Sequence, residues 1–189
     1  LLTAWLLSGW LAGLDRFLFE SLSELRNPIA DQVMLFITGL GDTWLLLIVL
    51  AAGIACLLLR GRRNAAMHWL GTVAATALVT YLLKLVIAAP RPAPLYDGLS
   101  IYSFPSTHTT LSIAVYGFMA VLVARELMPA RRWAPYLGAA LLVIPIGFSR
   151  LYLGAHWLSD VLGGLALGLA TLALFGIAYR RHPAQPLGW

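Results

Sequence analysis

Residues 66–88, AMHWLGTVAATALVTYLLKLVIA, run for twenty-three positions with one full charge, Lys84. A helix needs about 20 predominantly apolar residues to cross a bilayer, so this stretch reads as a membrane span. Four others resemble it: Asp42 to Leu59, Ser106 to Leu127, Ala134 to Phe148, which is short for a full crossing, and Leu158 to Tyr179. Leu1 to Leu14 reads as the tail of a further membrane helix that starts before this chain. From Asp15 the pattern changes. Leu14, Phe17, Leu18, Leu22 and Leu25 recur at helical spacing among Asp15, Arg16, Glu20, Ser23 and Glu24, which predicts an amphipathic surface helix closed by Asn27-Pro28.

Composition agrees with that reading. Of the 189 residues 60% are hydrophobic and 11% charged, whereas soluble domains are about 45–50% apolar and about 25% charged. The expectation is an all-α, polytopic membrane helix bundle of about six transmembrane helices plus the amphipathic helix, in one domain over residues 1–189. Cys56 is the single cysteine, which excludes an internal disulfide. The sequence pI is 9.8, yet the cations are spread in pairs and triplets between apolar stretches, which argues against a nucleic-acid face.

Their placement predicts orientation instead. Arg60, Arg62, Arg63, Arg125, Arg131, Arg132, Arg180 and Arg181 all follow even-numbered spans, eight of the thirteen cations on one side. By the positive-inside rule that side is cytoplasmic and both ends of the chain lie there. Trp44, Trp69, Trp133 and Trp157 fall near span ends, as interfacial anchors do.

The opposite face carries the chemistry. Lys84 stands in the last turn of its span, where it reads either as a snorkelling lysine or as a functional cation. Three prolines in Pro90-Arg91-Pro92-Ala93-Pro94 end the helix and fix where Arg91 points. Ser103-Phe104-Pro105-Ser106-Thr107-His108 leads into the fourth span, with Pro105 suited to a first helical turn and free backbone N–H groups suited to an anion. His156 and Asp160 are four apart where the sixth span begins, so the carboxylate can orient the imidazole and leave its other nitrogen as nucleophile or base. With Arg150 added, three cations match the charge of a phosphoryl group in transfer. A metal site fits poorly, since Asp160 is the only acid near the histidines and the cations would repel the ion.

Taken together, these residues resemble the type 2 phosphatidic acid phosphatase (PAP2) family, of the acid phosphatase and vanadium haloperoxidase superfamily. The likeness rests on Lys84 with six residues before Arg91-Pro92, on Pro105-Ser106-x-His108, and on Ser149-Arg150 with five residues before His156 and three before Asp160. The resemblance implies a cofactor-free lipid phosphatase in which His156 attacks phosphorus, Asp160 polarises it and His108 protonates the leaving oxygen. Lys84, Arg91, Arg150, Ser106 and the Thr107 N–H would hold the phosphoryl oxygens. Thr107 stands where the family usually has glycine. The implied setting is a bacterial cytoplasmic membrane with the site facing outward, and the implied partners are membrane lipids and a lipid phosphate such as undecaprenyl diphosphate, phosphatidylglycerophosphate or phosphatidic acid. A phosphoryl or headgroup transferase would use the same site with an alcohol acceptor, and a lipid-phosphate-binding transport accessory would need no oriented nucleophile. Haloperoxidase activity belongs to soluble relatives. His68 and His182 fall on the other face, Tyr152 reads either as pocket lining or as an interfacial tyrosine, and Gly164 and Gly168 read as a close helix contact.

Overall fold

The computed structural model describes residues 2–93, 98 and 101–181. The described residues form helices and connecting loops with no strand. In order these are α1 (Leu2–Glu24), α2 (Pro28–Gly39), α3 (Thr43–Leu59), α4 (Arg63–Ile87), α5 (Thr107–Ser112), a π turn (Ile113–Gly117), α6 (Phe118–Glu126), α7 (Trp133–Tyr152) and α8 (Leu158–Arg181). Five segments are long and apolar enough to cross a membrane: Pro28–Leu59, Arg63–Ile87, Thr107–Glu126, Pro129–Tyr152 and Leu158–Arg181. The chain is an all-α, multi-pass membrane bundle, and the stretch from Ala134 to Phe148, short for a crossing, is the full-length helix α7.

One boundary differs from the sequence reading. The apolar tail and the amphipathic stretch form one continuous helix, α1, because neither a proline nor a cap interrupts residues 11–16. Asn27-Pro28 does close that helix, and it also opens the next: Asn27 Oδ1 accepts from Ala30 N at 3.0 Å, with Pro28 at the first helical position. α2 then packs along α7 and turns into α3 at Leu40-Gly41-Asp42.

The span from α5 through α6 is the centre of the bundle, with 78% of its apolar window buried against 17–28% for the other four. Thr109, Thr110, Ser112, Ala114 and Phe118 are fully enclosed, and α3, α4, α7 and α8 pack around them. A helix buried on all sides needs small residues opposite it. Gly164 and Gly168 of α8 supply them, since a Cβ at Gly164 would stand 3.0 Å from the Ser106 carbonyl and one at Gly168 would press on Ile113. Buried hydroxyls add hydrogen bonds between spans, as where Thr76 Oγ1 of α4 meets Thr171 Oγ1 of α8 at 2.8 Å.

Trp69 is not an interfacial anchor. It is 2% exposed and stacks on Phe118 at a centroid distance of 6.4 Å, over the space left by Gly53. Trp44 and Trp133 do face outward, at 76% and 63% exposure.

Candidate active site

One end of the bundle gathers three segments distant in sequence: the end of α4 with residues 88–92, residues 101–108, and the α7–α8 loop. Lys84 points inward and is 8% exposed, its ammonium donating to the carbonyls of Tyr102 and Ser103 at 3.0 Å each. A buried ammonium needs such acceptors, and two adjacent carbonyls provide them. Arg91 reaches the same segment, where Nη2 donates to Tyr102 O at 3.0 Å and Nη1 to Ala155 O at 2.6 Å. Arg91 Nη1 also lies 3.1 Å from His156 Nε2.

His156 and Asp160 are both almost fully buried. His156 Nδ1 stands 3.2 Å from Asp160 Oδ2, which also accepts from Trp157 N at 2.9 Å. The carboxylate fixes the proton on Nδ1, and the Arg91 donor faces Nε2, so this hydrogen-bond pattern assigns the lone pair to Nε2. Burial holds the imidazole well below its usual value of 6.5, reinforced by Arg150, Arg91 and Lys84. The histidine is therefore neutral and oriented, the form a nucleophile requires.

Ser106 precedes α5 as its N-cap, while Pro105 stands two residues before the helix, ahead of that cap, rather than in its first turn. Ser106 N donates to Asp160 O at 3.0 Å, and Ser106 Oγ accepts from Thr109 Oγ1 at 3.1 Å. That clasp places the opening turn of the central helix, with its N–H groups at Thr107 and His108, beside the start of α8. Thr107 and His108 are half-buried where the rest of this turn is enclosed. The His108 ring backs onto the α2–α3 corner at Gly41.

Arg150 is fully buried near the end of α7, with Nη1 donating to Thr38 Oγ1 at 2.7 Å. Its carbonyl accepts from Ala155 N and His156 N at 3.1 and 3.2 Å, which folds the loop back so that Arg150 and His156 share one end. Gly154 sits in that loop at φ +64, where a Cβ would meet the Ala93 carbonyl and Arg26.

All eight residues singled out in the sequence, Lys84, Arg91, Ser106, Thr107, His108, Arg150, His156 and Asp160, thus lie at one end. A family model, described as the PAP2 superfamily, matches residues 43–183, which covers every one of them. The chain belongs to the PAP2 superfamily. This PAP2 protein is 31% identical to phosphatidylglycerophosphatase B of Bacillus subtilis (strain 168) over 165 residues, 85% of this chain and 80% of the relative. It is also 31% identical to undecaprenyl-diphosphatase BcrC of the same organism over 159 residues, 79% of this chain and 75% of the relative. Among solved structures it superposes on a transmembrane PAP2 type phosphatidylglycerolphosphate phosphatase from Bacillus subtilis with a TM-score of 0.81 at 29% identity, covering 92% of this chain and 89% of that one.

Several residues of the PAP2 site carried no role in the sequence. Ser103 Oγ lies 3.3 Å from Asp160 Oδ1 and 3.0 Å from Pro90 O, on the residue whose carbonyl holds Lys84, so it ties all three segments together. Its place beside Pro105-Ser106 was the available signal. Thr38 had none, because only the packing of α2 on α7 brings it to Arg150. Asp15 of α1 accepts from Ser159 N and Oγ at 2.9 and 2.7 Å, capping α8 from another helix. Tyr152 neither lines the site nor faces the interface. It is 4% exposed, and its hydroxyl bonds Asp31 Oδ1 at 2.9 Å, pinning the α1–α2 corner to α7. His68 lies at the opposite end with Nδ1 2.8 Å from Asn64 O, and His182 lies outside the described residues.

Proposed function

We propose that this PAP2 protein is a lipid phosphate phosphatase that hydrolyses a phosphomonoester or diphosphate at the outer face of a bacterial cytoplasmic membrane through a phosphohistidine. One observation carries the mechanism: His156 Nδ1 rests on Asp160 while Nε2 faces Arg91. In the first step Nε2 attacks phosphorus, the bond from phosphorus to the lipid oxygen breaks, and His108 gives its proton to that oxygen. In the second, water loses a proton to His108 and attacks the phosphohistidine, freeing phosphate and restoring His156. Lys84, Arg91, Arg150, Ser106 and the first N–H groups of α5 stabilise the charge on the phosphoryl oxygens as it develops. No step calls for a metal.

Two lines support the substrate class and the side. Relatives that cover most of this chain are named as phosphatases of phosphatidylglycerophosphate and of undecaprenyl diphosphate. The arginines Arg62, Arg125 and Arg180 meet at the far end of the bundle, joined to Glu126, Tyr179 and Tyr136, and the positive-inside rule makes that end cytoplasmic.

The test is phosphate release by purified protein in detergent from undecaprenyl diphosphate, phosphatidylglycerophosphate and phosphatidic acid. His156→Ala is expected to abolish release from whichever lipid the wild type cleaves, and an alkaline quench of wild type is expected to trap phosphate on His156. Unchanged turnover in His156→Ala would refute the mechanism.

A further inference from the structure

At the end of the bundle remote from His156, α6, α7 and α8 surround a cavity of about 480 Å³ lined by Ala124, Arg125, Arg132, Tyr136 and Arg180. Arg125 is seventeen residues beyond His108, about 25 Å along a helix at 1.5 Å per residue, so this cavity is separate from the catalytic end. The positive-inside rule asks only that arginines be present on this side. It does not ask that three converge on one cavity with their side chains set in place.

Here they are set. Arg125 lies over the Tyr179 ring at 4.4 Å from its centroid, and its Nη1 donates to Tyr179 O at 3.1 Å. Arg180 Nη2 donates to Tyr136 Oη at 2.7 Å, and Arg132 Nε to Leu127 O at 3.2 Å. Glu126, the last residue of α6, is engaged by Arg62, and no carboxylate stands among the described lining residues. Guanidinium forks and a phenol held this way match the oxygens of a phosphate. Trp133 follows the lining Arg132 in the chain and Met128 precedes the same turn, each 63% exposed, as residues at the level where headgroups meet water are.

We propose that this cavity binds the phosphate of an anionic phospholipid headgroup in the leaflet opposite the active site. A zwitterionic lipid would bring its own cation against the three arginines, so the site favours phosphatidylglycerol over phosphatidylcholine. Arg131 and Arg181 adjoin the lining arginines in sequence but do not line the cavity, which separates a built site from diffuse charge.

The experiment is native mass spectrometry of the full chain in detergent, titrated with phosphatidylglycerol or phosphatidylcholine. Arg132→Gln and Arg180→Gln are each expected to weaken phosphatidylglycerol binding about fivefold, the effect of one cation at a charged interface. Arg131→Gln and Arg181→Gln are expected to leave it within about twofold, and all four to keep wild-type phosphate release. Should Arg180→Gln fail to fold, Arg180→Lys keeps the charge, loses the fork and is expected to give an intermediate loss. Equal losses for lining and non-lining arginines would overturn the site in favour of diffuse attraction. Displacement of the lipid by inorganic phosphate at equal concentration would overturn the lipid as its source, and loss of hydrolysis in step with binding would place the lipid at His156 instead.

Discussion

The two ends of the bundle use the same residue type in opposite ways. At the catalytic end Lys84 and Arg150 are 8% and 0% exposed, and Lys84, Arg91 and Arg150 are each held by carbonyl or hydroxyl oxygens of other segments. At the other end the Arg62 side chain is 16% exposed, Arg125 is half-buried, and Arg60, Arg131, Arg132, Arg180 and Arg181 are exposed. Burying a cation costs several kcal/mol unless acceptors replace its water, so it persists where structure supplies them and a function retains it. Exposed arginines cost little, so for topology their position alone suffices, and what more they do depends on the partners that set them. The lesson is that the number of cations says less than what each is bonded to.

Lys84→Ala should give the largest departure between the ends. In the proposed mechanism it removes one of the cations that hold the phosphoryl oxygens, and kcat for phosphate release should fall by about a hundredfold to a thousandfold, as when one preorganised donor is lost. A fall no larger than that of Arg181→Gln, measured in the same assay, would erase the distinction between the ends. Ser103→Ala sharpens it at a finer level. Ser103 acts through Asp160 and Lys84 rather than on substrate, so kcat should drop about tenfold with little change in KM, and Ser103→Thr should restore part of it.

Charge burial at His156 also predicts a pH response. The unfolded chain takes up a proton near pH 6.5 that the folded imidazole refuses, so the unfolded state binds more protons as the pH falls below that value. This contribution to stability is present above pH 6.5 and drains below it. The melting temperature of His156→Gln should therefore decline less steeply than that of wild type between pH 6.5 and 5. The smallest effect belongs to the other end. Arg62 pairs with Glu126 near the surface, and Arg62→Gln should cost no more than about 1 kcal/mol in denaturant unfolding while leaving phosphate release unchanged.

Much of the catalytic end was legible from spacing. His156 and Asp160 had to share a face because four residues make one helical turn, and Pro90 and Pro92 had to end α4 just past Lys84. Trp69 was misread because a tryptophan near a span end satisfies the interfacial pattern whether it faces lipid or a neighbouring glycine, and Gly53 lies sixteen residues earlier. The continuous α1 was missed for a related reason. A change from apolar to amphipathic periodicity marks a change of surroundings, which a single helix can pass through without breaking.

By itself, then, the sequence determined what local chemistry controls: an all-α membrane bundle from apolar run lengths, the ends of its helices from proline and caps, the segregation of eight arginines to one side, and the three motifs of the catalytic end. Only the tertiary structure decided which helix stands at the centre, that Thr38 and Ser103 hold Arg150 and Asp160, that Tyr152 pins the α1–α2 corner, and that Arg125, Arg132 and Arg180 surround one cavity. The physical reason is range. Capping, periodicity and chain stiffness act within a few residues, whereas burial and hydrogen bonding between helices depend on partners up to 144 positions apart, as for Asp15 and Ser159.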